Sequence, residues 1–284
     1  RLRVRGQLSE IRAADLRFTT DEASEFLNTT MGLSLSSDDV VALEQRTEGW
    51  IAGLQLAAIS MQGQGNSGGF IHSFTGSHHF VLDYLIEEVL SQQLPQIRDF
   101  LLKTSILERF CGPLCAAILQ EDNEDALATL EHIRQANLFL IPLDNERRWY
   151  RYHHLFGDLL RKRLRESASI KIDDLHIRAS HWFEQHDQQS EAIHHALVAQ
   201  DFERAADMVE LDWSIAHASA FQNPEQHKWM QALPDSIYHN RPVLSAGYGW
   251  VLLNAGDIPA ADKPLSEAER CLSAADESDS PESE

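Results

Sequence analysis

The sequence predicts a mainly α fold in which a helical domain and a winged-helix module are followed by helical-hairpin repeats. Three observations carry this. Apolar residues recur at spacings near 3.6 along most of the chain. Two short apolar and aromatic runs around one polar turn read as a β-hairpin set among short helices. Beyond Ile172 everything is helical, in lengths and with small polar breaks that suit paired antiparallel helices. The chain has 284 residues, room for two or three domains of roughly 100–200 residues.

Thr20 is placed to cap a helix over residues 21–27, with acidic residues in its first turn and Ala23, Phe26 and Leu27 on one face. Ser36-Ser37-Asp38-Asp39 opens a second helix through Val40, Val41 and Leu43, which Gly49 ends. Residues 50–61 form a mostly buried helix, the glycine-rich run 63–69 is a flexible linker, and a further helix carries Phe80, Tyr84, Leu85 and Val89. From Leu94-Pro95 the texture changes. Apolar helices run over 97–107, over 113–119 with Pro113 in the first turn, and over 125–135. Residues 138–143 and 149–152 flank the turn Asp144-Asn145-Glu146-Arg147, and 155–164 returns to helix. Three helices, a hairpin and a closing helix are the order of a winged helix. Helices then follow over 175–186, 190–199 and 202–211. The stretches 191–205 and 251–261 share a helix, a short Asp-containing break and a small-residue helix start, in irregular register.

Composition excludes several classes of function. With 44 Asp+Glu against 24 Lys+Arg the net charge is −20, a surface that repels phosphate backbones, so nucleic-acid binding by the segment as a whole is disfavoured. Three cysteines, Cys111, Cys115 and Cys271, fit a reducing, cytoplasmic setting without disulfides. No apolar run approaches the roughly 20 residues that cross a bilayer, and Arg1-Leu2-Arg3-Val4-Arg5 opens no signal peptide. The missing initiator Met and the acidic tail 275–284 read as a piece of a longer protein.

Sites of chemistry are few. Gly63 and Gly68 have phosphate-loop spacing, but Gly69 and Phe70 stand where Lys and Ser/Thr are needed, and the first lysine is Lys103. Cys111 and Cys115 lack further ligands at a metal-site spacing and read as buried thiols at a helix start. His78-His79 and His194-His195 point apart on a helix and read as partly exposed surface, and no G-x-S-x-G elbow is present. The densest stretch, residues 147–163, puts His153-His154 at a strand-to-helix junction. There a ring N–H and backbone N–H groups converge, either as a donor site for an anion such as a nucleotide phosphate or as a polar helix cap beside a solvated basic face.

Four runs occur in a characteristic order: Arg12-Ala13-Ala14-Asp15-Leu16-Arg17-Phe18-Thr19, then Arg46-Thr47-Glu48-Gly49-Trp50-Ile51-Ala52-Gly53-Leu54-Gln55-Leu56-Ala57, then Ala136-Asn137-Leu138-Phe139-Leu140, then Trp149-Tyr150-Arg151-Tyr152-His153-His154-Leu155-Phe156. Together they resemble the MalT-like, large ATP-binding LuxR-type transcriptional regulators, which are signal-transduction (STAND) ATPases. The resemblance spans about residues 1–210. It implies the end of a nucleotide-binding domain at 1–18, a helical domain at 19–94, a winged helix at 95–166 and a TPR-like sensor at 167–284. The P-loop domain and the DNA-binding helix-turn-helix have no match in the chain. On this likeness Gly49-Trp50-Ile51 corresponds to the family's Gly-x-Pro segment near the adenine, with Ile51 departing from the pattern. His153 corresponds to a histidine that contacts the ADP β-phosphate and holds a closed form.

The expectation is a regulatory middle segment of a cytoplasmic transcription activator, coupling nucleotide state and an inducer to oligomerisation and transcription. ATP and ADP would serve the full-length protein, with no tight binding and no catalysis by this segment. Partners would be the nucleotide-binding domain and an inducer, with DNA reached only through another domain. Alternatives are a stand-alone helical-repeat scaffold for a protein partner and a metal-dependent enzyme built on histidine clusters.

Overall fold

A computed structural model describes residues 13–61, 71, 85, 89–136, 138–216 and 224–278. The glycine run 63–69, the His78-His79 pair, Phe80 and Tyr84 lie outside these, as do residues 1–12 and the end of the acidic tail, 279–284. The chain divides into two compact units, residues 1–170 and 171–284.

The first unit opens on a 3₁₀ turn, Ala13–Leu16, and α1, Thr20–Ser24, which winds on as a π-helical segment, Glu25–Thr30. Its cap is Thr19, one residue before the expected Thr20. The reason is Glu22, three residues on, which accepts from the Thr19 N–H at 2.9 Å while its own N–H reaches Thr19 Oγ1 at 3.4 Å. α2, Ser37–Thr47, is capped by Ser36, with Asp39 closing the same reciprocal box. α3, Ile51–Met61, packs on α2 and buries Leu54, Ala57, Ala58 and Met61.

The winged helix follows as α4, Pro95–Thr104; α5, Gly112–Leu119; α6, Asn123–Gln135; β1, Leu140–Pro142; β2, Tyr150–Tyr152; and α7, His154–Glu166. The strands are antiparallel, with Leu140 opposite Tyr152, Ile141 opposite Arg151 and Pro142 opposite Tyr150. Pro142 sits on the edge strand, where its missing N–H breaks no ladder bond. On the other side of β2, Phe110 and Tyr150 exchange both backbone hydrogen bonds at 2.8 Å, a third strand reduced to one residue. Phe110, Tyr152 and Phe156 fill the core beneath, and the buried Tyr152 hydroxyl is satisfied by Thr104 Oγ1 at 2.7 Å. α7 packs on α4 within the module and on α2 outside it.

The second unit is a stack of helix pairs: α8, Ile172–Gln185, with α9, Gln189–Val198; α10, Phe202–Ala216, with α11, Pro224–Ala232; and α13, Pro242–Asn254, with α14, Ile258–Ser278. A single turn, α12, Asp235–Tyr238, lies between the last two pairs. α10 packs on α13 and α9 on α11, as like helices of successive hairpins do. Left-handed residues end α8 and α9 at Asp187 and Gln200, so the breaks stay short. The surface expectation for His194-His195 is corrected by half. His194 is exposed, but adjacent positions on a helix point about 100° apart, and His195 is buried against α8. Among the described residues no helix is long and apolar enough to cross a membrane.

Candidate functional site

The residues singled out in the sequence converge where the end of α2 meets the β2–α7 junction. The chain leaves α2 through two consecutive left-handed residues, Glu48 at φ 51° and Gly49 at φ 68°. Such a conformation is strained for glutamate and free for glycine. Gly49 is also hemmed in: a Cβ there would stand 2.5 Å from the Phe18 carbonyl oxygen, and the Gly49 carbonyl accepts from the Phe18 N–H at 2.9 Å. The turn thereby ties the Arg17-Phe18 segment to the end of α2. It also aims Glu48 inward.

The Glu48 side chain is only 7% exposed. Arg151 on β2 grips it with both terminal guanidinium nitrogens, at 2.7 and 2.9 Å. The His154 N–H, first of α7, donates to the same carboxylate at 3.2 Å, and Arg17 lies 3.6 Å away. Burial alone would raise this carboxyl. The Arg151 hydrogen bond and charge and the His154 N–H outweigh it and hold Glu48 at about 2.

His153 caps α7. It is 6% exposed, its Nδ1 accepts from the Leu155 N–H at 3.3 Å, and its Nε2 meets the Thr47 carbonyl oxygen at 2.8 Å. A carbonyl only accepts, so Nε2 carries the proton and Nδ1 does not. The ring is therefore neutral, in keeping with burial, which lowers its pKa against the opposing pull of Glu48 and of Thr47. Trp50 stands edge-on to it, ring centres 6.0 Å apart, and Phe139 closes the cluster at 5.1 Å from Trp50 and 5.9 Å from His153. Ile51, half-buried, begins α3 directly after Trp50.

Gly49, Trp50 and His153 are thus in one place, with Ile51 beside them in the chain. Of the two possibilities open for the start of α7, the structure shows the polar cap, and the first N–H of α7 meets the chain's own Glu48 carboxylate. Sequence reasoning singled out neither Glu48 nor Arg151. The signal available was that both lie inside the motif runs, at opposite charge.

Residues 86–171 match the family model of the MalT winged helix domain. These residues form a MalT-type winged helix. Over 256 residues, 88% of the chain, it is 38% identical to the serine/threonine-protein kinase PknK of Mycobacterium tuberculosis, covering 22% of that protein. Over 277 residues, 96% of the chain, it is 32% identical to the HTH-type transcriptional regulator MalT of Klebsiella pneumoniae, covering 30% of it. The chain therefore spans about a quarter of the length of these relatives. Among solved structures, a Signal Transduction ATPase with Numerous Domains (STAND) protein with a tetratricopeptide repeat sensor, from Pyrococcus horikoshii, superposes with a TM-score of 0.53 over 89% of this chain and 35% of that one, at 16% identity. That likeness is one of fold. The chain is mainly α, with a winged helix of the MalT type ahead of helical hairpins, and it resembles a segment of MalT-type regulators in sequence and the tetratricopeptide-bearing neighbour in fold.

Proposed function

We propose that this chain is the transducing middle of a nucleotide-controlled regulator, working in the cytoplasm beside a nucleotide-binding domain. The observation that carries the reading is that one segment recurs in a protein named a kinase and in proteins named transcriptional regulators. A segment shared by two outputs belongs to neither output. In this reading residues 1–18 close the nucleotide-binding domain, 19–94 and 95–166 form the helical domain and winged helix, and 167–284 begin an inducer sensor.

The junction residues fit a phosphate-bearing ligand by their chemistry. The start of α7 already holds a carboxylate, and Arg17 and His154 present partly exposed nitrogen donors beside it. Gly49, Trp50 and Ile51 would face the base and His153 a phosphate of bound ADP, which supplies a polyanion. His153 has one movable donor, Nε2–H, which the Thr47 carbonyl holds here. Giving that donor to a phosphate frees Thr47 and loosens α2 from α7. Nucleotide state thereby changes how the winged helix is fastened, and inducer and ATP shift the population toward an open form that oligomerises and drives transcription.

The test is hydrogen exchange on the full-length protein, with ADP and without nucleotide. The proposal expects ADP to change amide protection at residues 46–51 and 150–156. Protection there that ignores ADP, while ADP binds, contradicts it.

A further inference from the structure

Two buried histidines of the second unit take no part in the junction. His176 on α8 and His195 on α9 are 7% and 5% exposed and meet Nδ1 to Nδ1 at 2.7 Å. Their ring centres are 5.0 Å apart, and Phe183 stacks on His195 at 5.4 Å. A hydrogen bond between two Nδ1 atoms uses one proton, so one ring donates, the other accepts, and both are neutral in opposite tautomers. The first added proton can go only to the far nitrogen of the donating ring, and it brings a charge into a seam where Leu175, Ala179, Ala192 and Ala196 are also buried. The second must go to the shared nitrogen and breaks the bond.

We propose that the His176–His195 pair is an acid-sensitive lock on the first helical hairpin, holding α8 to α9 while both rings are neutral and releasing them on mild acidification.

The surroundings do little to shelter an added proton. On the hairpin itself, Asp173 favours a charge on His176, while His194 opposes one on either ring. From α10, among the described residues, Arg204 reaches α8, engaged by Glu184 and by Ser180 Oγ. Asp201 lies half-buried at the start of that helix, and its Glu203 and Asp207 are exposed. α11, packed on α9, carries Glu225 and Lys228 exposed and His227 half-buried. Burial dominates, with His176 brought to about 4 and His195 to about 3. Both lie below the ordinary value of 6.5, so the stability they contribute is full above that pH and is lost as pH falls. Each histidine then adds one proton to unfolding, and the opening constant of the hairpin rises up to about a hundredfold per pH unit for the pair, from about pH 6 downward.

Amide protection factors across residues 172–198 of the whole chain, measured from pH 7.5 to 4.5 beside NMR titration of the histidine rings, test this. The expected result is two rings that stay neutral through pH 6 and protection that falls with a two-proton slope. The doubly substituted H176L/H195L chain should lose that slope. If it does not fold, the unsubstituted chain still decides. Protection that stays flat to pH 4.5, rings that titrate near 6.5, or a variant as acid-sensitive as its parent overturns the lock.

Discussion

Glu48 and Arg151 stand 103 residues apart and join in a two-pronged ion pair at 2.7 and 2.9 Å, largely shielded from water. One comes from the turn that ends α2, the other from the central strand of the wing. Together with the His153 Nε2 bond to Thr47, this pair fastens the winged helix to the helical segment before it.

Removing the charge should loosen that fastening. Glu48→Gln keeps the shape of the side chain but leaves Arg151 without its ionic partner, and breaking a shielded pair from one side is expected to cost about 3 kcal/mol. The pH dependence follows the same residue. Its carboxyl sits at about 2 in the fold against an ordinary 4.5, so its contribution is full above pH 4.5 and lost as pH falls toward 2. Denaturant unfolding between pH 7 and 3 checks both: the variant should be less stable at pH 7, with a shallower fall below pH 4.5.

Gly49→Ala should be worse than its size implies. The left-handed backbone alone costs roughly 1–2 kcal/mol for a residue with a Cβ, and that Cβ would strike the Phe18 carbonyl. We expect a lower melting temperature and loss of amide protection at Phe18, whose N–H is bonded to Gly49. A variant with the stability and Phe18 protection of its parent would show that the turn tolerates a side chain.

The winged helix should not bind DNA. In helix-turn-helix relatives such as the homeodomain the third helix reads the groove, and here that helix, α6, exposes Glu124, Asp125 and Glu131. Four arginines of the basic-looking stretch are engaged: Arg148 by Glu146, Arg151 by Glu48, Arg161 by Asp158 and Arg163 by Glu166. Fluorescence anisotropy with duplex DNA should show no specific binding at physiological salt. A specific, steeply salt-dependent signal would contradict this.

Most of the fold could be read from local rules. Ser36 and Asp39 spell out a cap, and the Asp144-to-Arg147 turn between apolar runs spells out a hairpin. Thr19 in place of Thr20 is a one-residue error that the position of Glu22 could have corrected. The junction was legible only in part. Glu48 reads locally as one more acid in a charged stretch, and nothing in periodicity shows that a left-handed turn points it inward to an arginine 103 residues on. The His176–His195 contact escaped for a related reason: its partners lie on different helices, and the adjacent His194-His195 pair drew attention to the wrong neighbour.

Whether His153 is a switch and not merely a cap is decided by its substitution in the full-length protein. If His153 contacts the phosphate as proposed, His153→Ala would remove one hydrogen bond to a charged group, worth roughly 1.5–3 kcal/mol, or about a ten- to hundredfold loss of preference for the ADP-held state. His154→Ala, exposed and one residue on, should change the switch less. The measurement is ADP affinity together with transcription in the absence of inducer. For His153→Ala we expect weakened ADP binding and inducer-independent transcription; a protein that stays silent without inducer and keeps its parent's ADP affinity would show His153 to be a structural cap.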